Sequence, residues 1–263
     1  MSEGSIKNDI PVVILAGGLG TRLREETEFK PKPMVEIGDR PIIWHIMKHY
    51  SRYGYKKFVI CLGYKGEVIL NYFMNYQAHG ATTVVRLEED RITTNFSGQK
   101  SENWNILLCD TGKDSLTGDR LLRIAQHIDT PYFLMTYGDG LSNVAINELV
   151  DFHLKSESVA TLTAVHPANR FGTLEISESG TVKNFLEKPK SQDWINGGFF
   201  VLERSIFDEM QQGSFEDTTL NRLASNNKLT AFKHDGYWQC MDTYREYLEL
   251  NKLWSEGNPP WIK

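Results

Sequence analysis

One stretch near the amino terminus limits what this chain can become: Val12-Val13-Ile14-Leu15-Ala16-Gly17-Gly18-Leu19-Gly20-Thr21-Arg22-Leu23. An apolar, mostly β-branched run that breaks at once into two glycines predicts a strand buried on both faces of a parallel sheet. Its carboxyl end opens into a loop with no side chains in a ligand's way. Backbone N–H groups of such a loop are free to face an anion. Thr21 adds a hydroxyl, and Arg22 and Lys32, the latter braced in Lys30-Pro31-Lys32-Pro33, add two positive charges at the strand end where open α/β sheets hold ligands. The stretch reads as a triphosphate cradle, against the plainer reading of a glycine-rich turn with a surface arginine.

Two commoner phosphate motifs fail on the same letters. A dinucleotide fingerprint starting at Gly18-Leu19-Gly20 needs a third glycine where Leu23 stands, and the Gly-Lys-Ser/Thr of a P-loop does not occur.

At 263 residues and 40% hydrophobic, the chain can bury a substantial core as one α/β domain, residues 10–263, after a polar extension over 1–9. A net charge of -5 with no basic run argues against a nucleic-acid surface. Cys61, Cys109 and Cys240 are odd in number and far apart, so they predict reduced core residues rather than disulfides or a zinc site. No apolar stretch reaches the roughly twenty residues of a membrane span, and the polar start lacks a signal-peptide core, so a cytoplasmic protein is expected.

Strands and helices alternate along the first half. After the Gly-rich loop, Met34 to Ile37 is short and extended, a helix runs from Pro41 to Tyr53 with Pro41 at its first position, and a strand covers Tyr55 to Leu62. A helix from Gly66 to Tyr76 follows, then strands at Trp104 to Asp110 and Tyr132 to Tyr137 around a helix ending near His127. A helix from Ala145 to Ser156 and a strand from Val159 to Val165 complete a mostly parallel, doubly wound pattern, a Rossmann-like nucleotide-binding half over about 10–165. Residues 77–103 form a polar excursion that reads as an insertion over the site, a contact arm between subunits, or a solvated loop. Beyond 166 the rhythm changes to short extended pieces: Gly172 to Ser177, Val182 to Leu186 and Ile195 to Leu202. They predict a smaller β-rich lobe closing over the cleft, followed by helices near Ile206 to Gln212, Thr219 to Asn226 and Tyr244 to Trp254.

Asp139, between Gly138 and Gly140 at the end of an apolar strand, is placed where a metal can reach it. Asp242 has two readings: a helix N-cap, or a second carboxylate that joins Asp139 to make an oxygen-rich magnesium site. Lys188, in Phe185-Leu186-Glu187-Lys188-Pro189, is either half of an exposed charge pair or a functional cation, and Asn196-Gly197-Gly198 offers an amide and bare backbone for sugar hydroxyls. No Ser/His/Asp or Cys/His set appears, and His45, His49 and His153 read as packed or solvated. That fits chemistry without a protein nucleophile, driven by positioning and charge.

Taken in order, Leu15 to Leu23, Lys30 to Met34, Tyr137 to Gly140, Phe185 to Pro189 and Asn196 to Gly198 resemble the sugar-1-phosphate nucleotidylyltransferase family. Val35 to Gly38, Trp44 to Lys48, Gly63 to Gly66, Asp110 to Gly112 and Met241 to Thr243 are most similar to its members that join CTP to glucose 1-phosphate. The resemblance implies a nucleotide-diphospho-sugar transferase fold. It implies that Leu15, Ala16, Gly17, Gly18, Leu19, Gly20, Thr21, Arg22, Lys32, Thr111, Arg120 and Gly138 hold the nucleotide, and that Asp139 and Asp242 hold Mg²⁺. It places Gly172, Glu187, Lys188, Asn196 and Gly197 at the sugar phosphate, and makes Arg22, Lys32, Asp139, Lys188 and Asp242 the catalytic set. It further implies a homo-oligomer whose product, CDP-glucose, serves lipopolysaccharide O-antigen or related surface-polysaccharide synthesis. The same reaction on another pair, such as dTTP with glucose 1-phosphate or GTP with a heptose phosphate, and a non-catalytic nucleotide-sugar-binding homologue are the rival readings. Three departures stand out: Asp119 where the pattern has a second glycine, Phe215-Glu216-Asp217-Thr218-Thr219-Leu220 for a Trp-Glu stretch, and Cys240 for a proline.

Overall fold

Strand β1, Pro11–Leu15, is buried along its whole length because it has a parallel neighbour on each side. In the computed structural model, which describes residues 7–79, 81–87, 92–97, 102–168, 171–187, 189 and 191–262, β1 lies in a seven-stranded sheet. The other strands are β2 Lys57–Leu62, β3 Asn105–Asp110, β4 Tyr132–Tyr137, β5 Ala160–Val165, β6 Ile195–Glu203 and β7 Leu229–His234, and the spatial order is β7-β5-β6-β4-β1-β2-β3.

Alternation along β1 feeds two cores. Val12 and Ile14 join one with Phe58 and Ile60 of β2, while Val13 and Leu15 join the other with Val59 and Cys61. Helices cover both faces, which is why the strand reads as a continuous apolar run. Helix α1, Ile42–Arg52, turns Ile42, Ile43, Ile46, Met47 and Tyr50 onto the first core, joined there by Ile69 of α2 (Gly66–Met74), by Leu149 of α4 (Ile146–Lys155) and by Leu250 of α5 (Tyr244–Ser255). Helix α3, Thr117–Ile124, places Leu121 and Ile124 on the opposite core with Phe215 and Leu223. Burying each such side chain contributes roughly 1.5–3 kcal/mol. Pro41 precedes α1 as its N-cap rather than opening it, with ψ 150°.

The expected mixed, mostly parallel sheet is present, and β6 is its one reversed strand, antiparallel to both β5 and β4. This corrects the placement of Ile195 to Leu202 in a separate lobe. Phe199, Phe200, Val201 and Leu202 are apolar on successive residues and fully buried, a pattern that only a strand covered on both faces can satisfy. Strand β7 was not anticipated from its letters; it is a half-exposed edge strand parallel to β5. Outside the main sheet lie a ribbon of Thr173–Ile176 against Val182–Leu186, exposed at every residue, and two short antiparallel pairs, Gly140–Ser142 against Trp238–Cys240 and Glu36–Ile37 against Arg40–Pro41. Within the polar excursion, Thr82–Leu87 pairs with Ile92–Ser97 as an antiparallel hairpin. The three cysteines are free thiols, with Cys61 buried. No helix among the described residues is long and apolar enough to cross a membrane.

Candidate active site

The loop after β1 keeps its shape because an arginine lies under it. Arg120, only 4% exposed, donates from its two terminal nitrogens to the Gly17 carbonyl at 3.1 Å, Leu62 O at 3.0 Å, Gly112 O at 2.8 Å, Lys113 O at 3.2 Å and the Thr111 hydroxyl at 2.9 Å. It thereby ties together the chain at the carboxyl ends of β1, β2 and β3. Side chains on Gly17 or Gly63 would meet the guanidinium at 2.2 and 2.4 Å, so both positions must be glycine while Arg120 stays. Thr111 is fully buried, its hydroxyl donating to Leu62 O at 2.6 Å. Thr111, which the family pattern assigns to the nucleotide, is therefore turned into the scaffold. Arg120 borders the cleft with its terminal nitrogens committed to protein oxygens.

Beyond Gly17 the loop rises into solvent at Gly18 and Leu19, then closes through Gly20 at φ 63° into the turn Thr21–Leu23. A Cβ on Gly20 would press on Thr27 at 3.1 Å and on Lys32 at 3.3 Å. The glycine thus allows Lys32, itself buried, to reach up beside the loop.

Two distant carboxylates meet that lysine. Gly138, following β4, donates to Leu15 O at 3.1 Å and presents Asp139. Pairing of Gly140 with Cys240, continued by Met241 N–H to Asp139 O at 2.8 Å, sets Asp242 opposite. Lys32 Nζ donates to Asp139 Oδ2 at 2.7 Å and to Asp242 Oδ1 at 2.8 Å, and Arg22 pairs with the other oxygen of Asp242. Burial works against the Lys32 ammonium, yet the Asp139 charge and the hydrogen bonds that the ammonium donates to both carboxylates outweigh it and hold its pKa above the ordinary lysine value. The N-cap reading of Asp242 is corrected by one residue. Thr243 caps α5, and Glu246 closes the box by accepting from the Asp242 and Thr243 N–H groups at 2.7 and 2.8 Å, which leaves the Asp242 carboxylate to the cleft.

The facing wall comes from β4, β6 and the segment after Gly213. The register of β6 against β5 shifts between Leu162 and Ala164, so Gly197 and Gly198 fall out of the ladder just beyond Asn196, which pairs with Ala164, and all three border the cleft. Trp238 Nε1 donates to Gly197 O at 2.7 Å, and Tyr137 packs so closely on Gly198, φ 83°, that a Cβ there would sit 2.6 Å from its ring. Tyr137 donates to Glu216, a residue whose role the sequence patterns did not show. The nearest signal was the aromatic-Glu pair Phe215-Glu216, and nothing in its spacing pointed to a tyrosine 79 residues earlier.

The cleft encloses about 1310 Å³, more than the roughly 300–1,000 Å³ of a typical single-ligand pocket. Leu15 to Arg22, Lys32, Arg120, Gly138, Asp139, Asn196, Gly197 and Asp242 border it; Thr111, Gly172 and Glu187 do not. Gly172 and Glu187 adjoin one another at the ends of the exposed ribbon strands, and Phe171, next to Gly172 in the chain, borders the cleft. Lys188 lies outside the described residues.

A glycine loop at the end of a central parallel strand, two converging carboxylates and two cations describe a protein that handles phosphate esters. Residues 11–256 match the nucleotidyl transferase family model, and the chain belongs to that family. It is 49% identical over 253 residues to the glucose-1-phosphate cytidylyltransferase of Salmonella typhi, covering 95% of this chain and 97% of that one. It is 42% identical over 253 residues to a probable glucose-1-phosphate cytidylyltransferase of Bacillus subtilis (strain 168), covering 95% and 98%. Among solved structures, HddC from Yersinia pseudotuberculosis shares the fold with a TM-score of 0.67 at 22% identity, covering 93% of this chain and 99% of that one.

Proposed function

We propose that this protein transfers a cytidylyl group from CTP to α-D-glucose 1-phosphate, giving CDP-glucose and pyrophosphate with Mg²⁺. The observation that carries the reading is the meeting of Asp139, Asp242, Lys32 and Arg22 at the loop after β1, in a chain half identical to a cytidylyltransferase over nearly its full length.

In this reaction an anionic oxygen of the sugar phosphate attacks the α-phosphorus of CTP. The bond to the bridging oxygen breaks, and its electron pair leaves with pyrophosphate. The nucleophile is already ionised, so no side chain has to take a proton, in keeping with the buried His45, His49 and His153. The difficulty is repulsion between two polyanions, and the remedy is fixed positive charge in a partly dry cleft. Arg22 and Lys32 supply it beside the triphosphate loop, Asn196 and Gly197 border the cleft where the sugar phosphate would lie, and the family pattern assigns Lys188, with Gly172 and Glu187, to that phosphate. The loop that follows Leu15 and Ala16, with its backbone N–H groups from Gly17 to Thr21 and with Gly138 alongside, holds the nucleotide.

The donor set suits magnesium. Asp139 and Asp242 are hard oxygen donors close enough to share one ammonium, and no group of three or more metal-ligating side chains occurs among the described residues. Two carboxylates completed by phosphate oxygens and water is the usual Mg²⁺ pattern. Bound there, the ion neutralises and orients the reacting phosphate. The nucleotide substrate puts the reaction in the cytoplasm, and the exposed Val84 and Val85 of the 82–97 hairpin favour self-assembly.

A pyrophosphate-release screen of four nucleoside triphosphates against several sugar 1-phosphates tests the reading. CTP with glucose 1-phosphate should give the highest kcat/KM. A better pair would reassign the substrates, and tight nucleotide binding with no turnover would make the protein a binding homologue.

A further inference from the structure

The Glu216 carboxylate receives three hydroxyl donors: Tyr137, Thr117 at 2.6 Å and Ser214 at 3.0 Å. A carboxylate accepts and cannot donate, so the Tyr137 hydrogen points at Glu216 and only lone pairs of its oxygen face elsewhere. Burial first, then the Glu216 charge, holds the Tyr137 phenol well above its usual pKa, so it remains a donor. Asn196 Nδ2 donates to that oxygen at 3.3 Å, and Asn196 Oδ1 accepts the Gly198 N–H at 2.9 Å. Independent partners at its two ends therefore orient the amide, and its second N–H is left for the cleft that Asn196 borders.

The anchor of this chain of bonds is built into the fold. Thr117 accepts the Phe215 N–H at 2.9 Å while donating to Glu216, and Gly118 N–H bonds Gly213 O at 3.0 Å. Asp119, one of the departures from the family pattern, accepts the Gly213 N–H at 2.9 Å. The start of α3 is thereby zipped to the segment carrying Glu216, and Gly198, with no side chain, lets the Tyr137 ring approach β6 closely.

We infer that Glu216 is a positioning residue that acts through Tyr137 to hold Asn196 as a hydrogen-bond donor toward a hydroxyl of the sugar phosphate. This rests on the proposed function. It adds a residue of the cleft wall whose charge sets the polarity of the contact that Asn196 makes. Glu216→Gln keeps the shape but lets an amide N–H face Tyr137, so the phenol hydrogen turns toward Asn196 and the amide loses its partner.

The test compares wild type, Glu216→Gln, Tyr137→Phe and the double variant, with KM measured for each substrate and thermal unfolding for the fold. Glu216→Gln should raise KM for glucose 1-phosphate about tenfold, the scale of one oriented hydrogen bond. KM for CTP should stay within about twofold, and the double variant should be no worse than Tyr137→Phe alone. Equal rises in both KM values, or additive losses in the double variant, would overturn the relay. The Asn196 side-chain amide resonance, identified by its loss in Asn196→Asp, should move in Glu216→Gln and in Tyr137→Phe. That signal needs no turnover, so an unmoved resonance sinks the relay even where the substrate pair has been misassigned, and an inactive wild type would count against the proposed function alone.

Discussion

Lys32 and Asp242 stand 210 residues apart in the chain and 2.8 Å apart in space, with the Asp139 carboxylate on the same ammonium at 2.7 Å. A buried lysine holding two acids marks a place where positive charge is required, and the predictions begin there.

Asp139→Asn keeps the shape and removes the charge. Turnover with CTP and glucose 1-phosphate should fall on the order of 10² or more, as for a lost electrostatic contact. Thermal unfolding should change little, and near-normal kcat would rule the residue out as a metal ligand.

Lys32→Met should leave Asp139 without its counter-ion and Asp242 with Arg22 alone. Millimolar Mg²⁺ should then raise the Tm of the variant more than that of wild type, because an ion no longer competes with the ammonium. An equal Mg²⁺ response in the two proteins would mean that the carboxylates do not form a cation site.

Gly17→Ala should be costly and Gly18→Ala should not. The first puts a methyl group 2.2 Å from the Arg120 guanidinium, for a loss of roughly 1–3 kcal/mol in urea unfolding, while nothing lies within 4 Å of the second. Equal effects at the two positions would show that Arg120 is not the strut beneath the loop.

His45 and His49 are buried in the first core's surroundings, and burial brings both down to about 4 from the ordinary 6.5. Their folded pKa values are depressed, so the unfolded chain binds more protons. Their contribution to stability is complete above about pH 6.5 and is lost as pH falls toward 4, roughly 2–3 kcal/mol for each. Near pH 5, unfolding should take up about two protons from this pair, read from the slope of the unfolding constant against pH. Replacing either histidine by Gln should remove about one.

Much of the fold was legible. β1 and its glycine break, the amphipathic α1 and the strand-helix rhythm through β5 appear where periodicity put them, because burial on one or two faces leaves a local signature. The insertion of β6 into the sheet was not legible, since Phe199 to Leu202 pack the same way whichever buried sheet receives them. Edge strand β7 carries Lys233 and His234 and has no clear period. Arg22, Lys32, Asp139 and Asp242 stand out in the sequence as charges with special neighbours, and they converge; Thr111, drawn from a family pattern, is buried with its hydroxyl bonded to Leu62 O.

The amino-acid sequence by itself determined the elements, the loop that can approach a phosphate, and the identity of the charged groups, because these depend on residues within a turn or two of one another. Tertiary structure alone decided which charges meet. The antiparallel pairing of 140–142 with 238–240 carries Asp242 to Asp139, and the zipper between 116–119 and 213–216 carries Glu216 to Tyr137. Both depend on the order of strands in the sheet, which is set by summed burial over the whole molecule and leaves no mark on the local letters.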